Sequence, residues 1–215
     1  MPGPIGNASP KPLELALRLL LAALTVLVLA RSFGREAAQA LLPLIGHALT
    51  WLDDHYRILV LAVDSQGADT VIRLRVTLAR PLVVGGHLIL PDARGWAEVT
   101  TPVGHLLQPL LILTGMLVAW PARRWREWAA RLLLIAPIVA ALVLLNTPFT
   151  LWGHLWDLHA HHHEPGRFSP LLAWVRLLDG GGRLLLGMLG AVTAITLASP
   201  IAAAKPGQIG PATEP

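Results

Sequence analysis

The sequence predicts an α-helical integral membrane protein with four transmembrane helices and a small extramembrane antiparallel β insert, an α+β arrangement. Three observations carry this expectation. The 215-residue chain is 54% hydrophobic and 14% charged, with a mean hydropathy of +0.58, too apolar for an ordinary water-soluble domain. Four apolar runs, at residues 13–30, 102–120, 130–147 and 183–200, approach the ~20 residues that a bilayer requires. Between the first two runs, residues 51–102 form the one long stretch that reads as neither lipid-soluble nor disordered.

Taken in order, residues 1–12 hold four prolines among glycines and polar residues, a composition that cannot bury a core and predicts a disordered tail. Residues 13–30, LELALRLLLAALTVLVLA, are the first span (TM1). A signal peptide is the competing reading, but the run exceeds the usual signal core and no small-x-small cleavage site precedes Arg31 and Arg35. In residues 37–52, Ala37, Leu41, Leu44, Ile45, Ala48, Leu49 and Leu52 recur at helical spacing, with Gln39, His47 and Thr50 between them. That pattern fits an amphipathic helix bent or restarted by Pro43, or an extension of the first helix.

Residues 53–101 then read as an outer β module. RILVLAV at 57–63 is a strand candidate, and 64–69 supply turn chemistry. In the next run Ile72, Leu74, Val76 and Leu78 alternate with Arg73, Arg75, Thr77 and Ala79. Period-two alternation sends the aliphatics to one face and the arginines to the other. Gly85-Gly86 permits a tight turn between 82–84 and 87–90, and a last strand is expected near 96–100. So few strands need a supporting surface. The aliphatic row, or the sheet edge, is therefore a candidate partner-binding surface.

Residues 102–120 form TM2, with His105, Gln108 and Pro109 in its first turns. The basic loop 121–130 carries Arg123, Arg124 and Arg126, with Arg131 just beyond, interleaved with Trp125 and Trp128. Short arginine-rich loops flanked by interfacial tryptophans are cytoplasmic by the positive-inside rule. Placed between two spans, the cluster argues for a membrane interface and against nucleic acid. TM3 occupies 130–147, an outer histidine-rich loop 148–182, TM4 183–200, and a disordered tail 201–215. Gly187 and Ala191 in TM4 have the small-xxx-small spacing of close helix contacts. Both termini are then cytoplasmic, with residues 31–101 and 148–182 on the opposite face. In a bacterium this places the chain in the inner membrane with those segments periplasmic.

The densest set of potential ligands is His154, Asp157, His159, His161, His162, His163 and Glu164. Imidazoles with carboxylates suit zinc or another transition metal. In a helix Asp157 and His161, and His159 and His163, would share faces, although no HExxH is present. An exposed histidine-rich turn with incidental metal affinity is the plainer reading, so no cofactor is firmly expected. With no cysteine in the chain, disulfides, thiolate metal sites and cysteine nucleophiles are excluded. Ser65, Ser169 and Ser199 lack a nucleophile-elbow context. Gly180-Gly181-Gly182 lacks the lysine-serine ending of a phosphate loop. The expectation is a protein that is not an enzyme.

The layout, with TPVGHLLQPLLILTGMLVAWP at 101–121 and WVRLLDGGGRLLLGMLG at 174–190, resembles the exosortase H-associated membrane proteins of bacteria. The histidine cluster and the His105 and Gln108 side chains depart from it. The resemblance implies a non-catalytic companion of a membrane sorting enzyme that handles exported proteins with C-terminal anchors. The implied partners are the lipid bilayer, a sorting enzyme and an exported protein segment. The alternative reading is a metal-responsive membrane protein or small transporter using residues 154–164.

Overall fold

In the computed structural model, residues 12–84, 86–92, 94–122, 125–163 and 168–203 are described. The chain is mostly helical, in the order α1 (Pro12–Leu52), β1 (Tyr56–Gln66), β2 (Asp69–Leu78), β3 (Leu82–Val84), β4 (His87–Ile89), β5 (Ala97–Pro102), α2 (Val103–Ala119), α3 (Trp125–His163), α4 (Pro170–Leu177) and α5 (Arg183–Ala203). A kinked turn, Leu178–Gly182, with Gly181 in a non-helical conformation, joins α4 to α5. Among the described residues three helical stretches are long and apolar enough to cross a membrane, Ala16–Leu52, Trp125–His161 and Pro170–Ser199, and the apolar α2 is shorter. Large apolar side chains such as Leu20, Leu24, Val28, Leu133 and Leu189 are exposed along the bundle, a surface compatible with lipid.

α1 and α3 are far longer than a span. At 41 and 39 residues they run about 60 Å, twice the thickness of a hydrocarbon core. Their second halves carry the sheet. Of the two readings of residues 37–52, a separate amphipathic helix or an extension of the first helix, the structure has the extension, and Pro43 lies inside it. The first part of the expected loop 148–182 is likewise helix as far as His163, with Pro148 and Pro137 internal to α3. Proline removes one donor and crowds one turn, which long-range packing on both sides of the helix can absorb. The expected tails, except for Pro12 and residues 201–203, lie outside the described residues, as do Arg123, Arg124 and Glu164.

The main sheet has the order β1-β2-β5, and β3-β4 form a separate hairpin. β1 and β2 pair from Tyr56↔Leu78 to Gln66↔Asp69, with a bulge between Ile58 and Val60. The bulge has a clear use. Ile58 opposes Val76 and Leu61 opposes Leu74, so the extra residue, Leu59, resets the alternation and keeps both aliphatics on the inner face.

Two apolar cores result. One lies between the sheet and the helices and contains Ile45, Ile72, Leu74, Val99, Leu106, Leu151 and Leu155. The second lies within the bundle and contains Leu113, Leu117, Leu142, Ala191 and Ala194.

Candidate partner-binding edge and the polar knot beneath it

Ile72, Leu74 and Val76 are 0–2% exposed, sealed against α1, α2 and α3 rather than held open, while Leu78 is half-buried. As a partner surface the aliphatic row is therefore corrected: in a sheet this small, the chain's own helices supply the cover that burial demands. The opposite face is closed by charge. Arg73 pairs with Asp64 (2.9 Å) and Glu98 (3.4 Å). Arg75 donates from Nε and Nη2 to Glu98 Oε2 (2.9 and 2.7 Å) and lies 4.5 Å over the Trp96 ring.

Of the two edge strands, β5 and β1, the longer is β1. Among the described residues no strand pairs with its outer side, and at its bulge Leu59 and Val60 are 49% and 40% exposed. An eleven-residue strand with a free edge is a template for an added strand.

At the upper end of β1, α1 turns into the strand through Asp53, Asp54 and His55. Their ligand atoms lie within 4.8 Å of one another, the one such group among the described residues. Each carboxylate already serves protein donors. Asp53 Oδ1 accepts from the His55 backbone N–H (2.8 Å) and from its Nδ1 (2.7 Å), while Oδ2 accepts from Trp152 Nε1 (3.2 Å). Asp54 pairs with Arg80. The group is a corner that ties α1 to α3 and to the end of β2. Beside it the Tyr56 ring lies 5.9 Å from that of His159. Burial, and secondarily the Asp53 charge, push the phenol well above its ordinary range.

The histidine-rich segment follows the helical course of α3. His154 and His159 are half-buried, and Asp157 and His161 are exposed. His159 Nδ1 donates to Leu155 O (2.9 Å), so that nitrogen serves the helix. His162 and His163 belong to α3, but their side chains lie outside the described residues. No converging ligand group among the described residues draws on this segment.

Beneath the sheet, the structure assembles a polar knot that no sequence pattern announces. Pro109 has no N–H, so the carbonyl of His105, four residues earlier, loses its helical partner. Asn146 Nδ2, from α3, donates to that oxygen (2.7 Å). Asn146 Oδ1 in turn accepts from Arg183 Nε (3.1 Å). Arg183 Nη1 donates to Asp179 Oδ1 (2.7 Å), and Nη2 lies 3.5 Å from Thr150 Oγ1. Asn146 and Arg183 are 1% and 2% exposed. One asparagine thus joins α2, α3 and α5. The kink between α4 and α5 lies next to Arg183 in the chain, and Gly181 within it, at φ 112°, takes a backbone conformation that disfavours any side chain.

At the other end of the bundle, Arg131 is buried, not part of a solvated basic loop. Its Nη1 donates to Trp120 O (2.8 Å) and Leu117 O (3.3 Å), and its Nη2 to Pro121 O (3.5 Å), capping the carbonyls and negative dipole end of α2. Trp128 lies 5.4 Å beneath it. Trp125 and Arg126 are exposed. Gly187 and Ala191 both face inward. A Cβ on Gly187 would stand 2.7 Å from Pro109 O, so α2 and α5 touch there backbone to backbone.

Comparison with family models, with curated proteins and with solved structures returned no match to this chain.

Proposed function

We propose that the protein is a non-catalytic accessory or scaffold in bacterial envelope protein sorting. In this reading four helices hold it in the inner membrane, with both termini cytoplasmic and residues 31–101 and 148–182 periplasmic. The bundle docks a membrane sorting enzyme, and the β1 edge receives an extended segment of an exported protein by strand addition. The free edge of β1 carries this reading. The aliphatic face is buried and the arginine face is paired with acidic side chains, which leaves the two edge strands, β1 and the shorter β5, as the parts of the sheet with strand-unpaired backbone, and β1 offers the longer template. The resemblance of residues 101–121 and 174–190 to exosortase H-associated proteins supplies the choice of sorting over other envelope tasks.

Leu59→Lys with Val60→Lys places charges on the edge without touching either core. The double variant is expected to leave the protein folded and to cause exported proteins with C-terminal anchors to accumulate unprocessed, the same outcome expected of deleting the gene. Normal processing in the deletion strain would end the sorting reading. Normal processing in the edge variant alone would end strand addition.

A metal-responsive role is the second reading, favoured by the helical course of α3, which sets Asp157 and His161 one turn apart. Zinc titration of the wild type and of a variant with His159, His161, His162 and His163 replaced by alanine separates the two. Equal stoichiometry removes the metal reading.

A further inference from the structure

Midway along α1, where the lipid-facing surface meets the sheet-end core, a groove of about 680 Å³ opens between α1, the start of β2 and the start of α2. That volume is within the ~300–1,000 Å³ typical of small-molecule sites. Its lower wall is apolar, formed by Leu27, Leu107 and Leu111. Its upper wall carries four charges of both signs, Arg31, Arg35, Glu36 and Asp69. The two arginines are one helical turn apart on α1. No ion pair or side-chain hydrogen bond ties any of the four to another described residue, whereas the arginines of the sheet are paired with carboxylates. Pro102, Val103 and Gly104 also line the groove. They begin α2, whose N-terminus has no side-chain cap, leaving first-turn N–H groups available to an anion.

We propose that this groove binds one phospholipid with a zwitterionic, amine-bearing headgroup. The phosphate lies against Arg31, Arg35 and the first turn of α2, the ammonium against Glu36 and Asp69, and the acyl chains along Leu27, Leu107 and Leu111. Charge complementarity selects this occupant. A purely anionic headgroup would leave both carboxylates facing it, and an apolar helix would leave all four charges without partners. The apolar lower wall continues into the exposed flank of α1 at Leu24 and Val28, so acyl chains reach the groove from the bilayer without crossing water.

The test is native mass spectrometry of the full-length protein in detergent, titrated separately with phosphatidylethanolamine, phosphatidylglycerol and phosphatidylcholine. The wild type is expected to retain phosphatidylethanolamine about tenfold better than either of the others, the scale of one charge-assisted contact. Arg31→Gln with Arg35→Gln is expected to weaken retention of all three lipids. Glu36→Gln with Asp69→Asn is expected to abolish only the preference for the amine. Gly104→Leu serves as the folding-neutral control, because a Cβ at Gly104 meets nothing within 4 Å. It fills the groove and is expected to displace the lipid while the circular dichroism spectrum is unchanged. Equal retention of the three lipids by the wild type, or undiminished phosphatidylethanolamine binding in the arginine or Gly104 variants, overturns the proposal.

Discussion

At the sheet end, Ile45, Ile72, Leu74 and Leu151 bury large side chains between a β-sheet and three helices. Midway down the bundle, Ala191, Ala194 and Ala198 of α5 are buried at 0–1% exposure, and Gly187 brings the helix against the backbone of α2. The difference is the one that two solvents would produce, water at the sheet end and lipid around the apolar helices. Beyond the bilayer, water drives apolar area inward, and large aliphatic groups give the most. Within lipid that drive vanishes, and close packing of small residues with a few internal hydrogen bonds holds the helices. The polar knot at Asn146 lies between the two regimes and couples them.

Variants that act on one core and spare the other test this contrast. Leu74→Ala is expected to give the largest loss, about 2–5 kcal/mol, read as sheet unfolding in urea while helical circular dichroism persists. Loss of both signals together would show that the cores are not separable. Asn146→Leu leaves the His105 carbonyl and Arg183 Nε without partners, at about 1–3 kcal/mol for each buried group. Here both cores should soften in thermal melts, since α2, α3 and α5 share that residue. Gly187→Leu is expected to cost about 1–3 kcal/mol by forcing α2 from α5, with the urea transition of the sheet unmoved.

Smaller effects sharpen the same division. The raised Tyr56 value means that the folded state holds the phenol neutral. That contribution is intact below the unfolded value of about 10 and is lost progressively as pH climbs above it. Only the sheet end should weaken in alkali, and Tyr56→Phe should flatten the pH profile there. At the bottom of the scale, Arg18→Ala removes an exposed one-turn pair with Glu14, and the melting temperature should hardly move.

Much of the fold is legible in the residues. Alternation through Ile72, Leu74, Val76 and Leu78 identifies β2 and its inner face, and each apolar run overlaps one of α1, α2, α3 and α5 without giving the far ends of α1 and α3. The length of α3 is not legible. Pro148 and the histidines after it read as a loop because local propensity counts a proline as a break, while the structure supports that turn from outside, with Trp174 Nε1 donating to Leu145 O (3.0 Å). Arg131 reads as one of a group of loop arginines, since charge density carries no information on direction. Asn146 gives no signal at all. Its partners lie 41 residues before it and 37 after it.

The sequence by itself determined which segments are apolar enough to favour lipid, because hydropathy and period are local properties of the chain. It also determined the strand faces, because successive side chains must point to opposite sides. Tertiary structure decided which surfaces remain open. It sealed the aliphatic face of β2, left the edge of β1 free, and turned Arg131 and Arg183 inward. Those outcomes depend on which distant carbonyl or carboxylate comes within hydrogen-bond reach, and only the packed chain sets that distance.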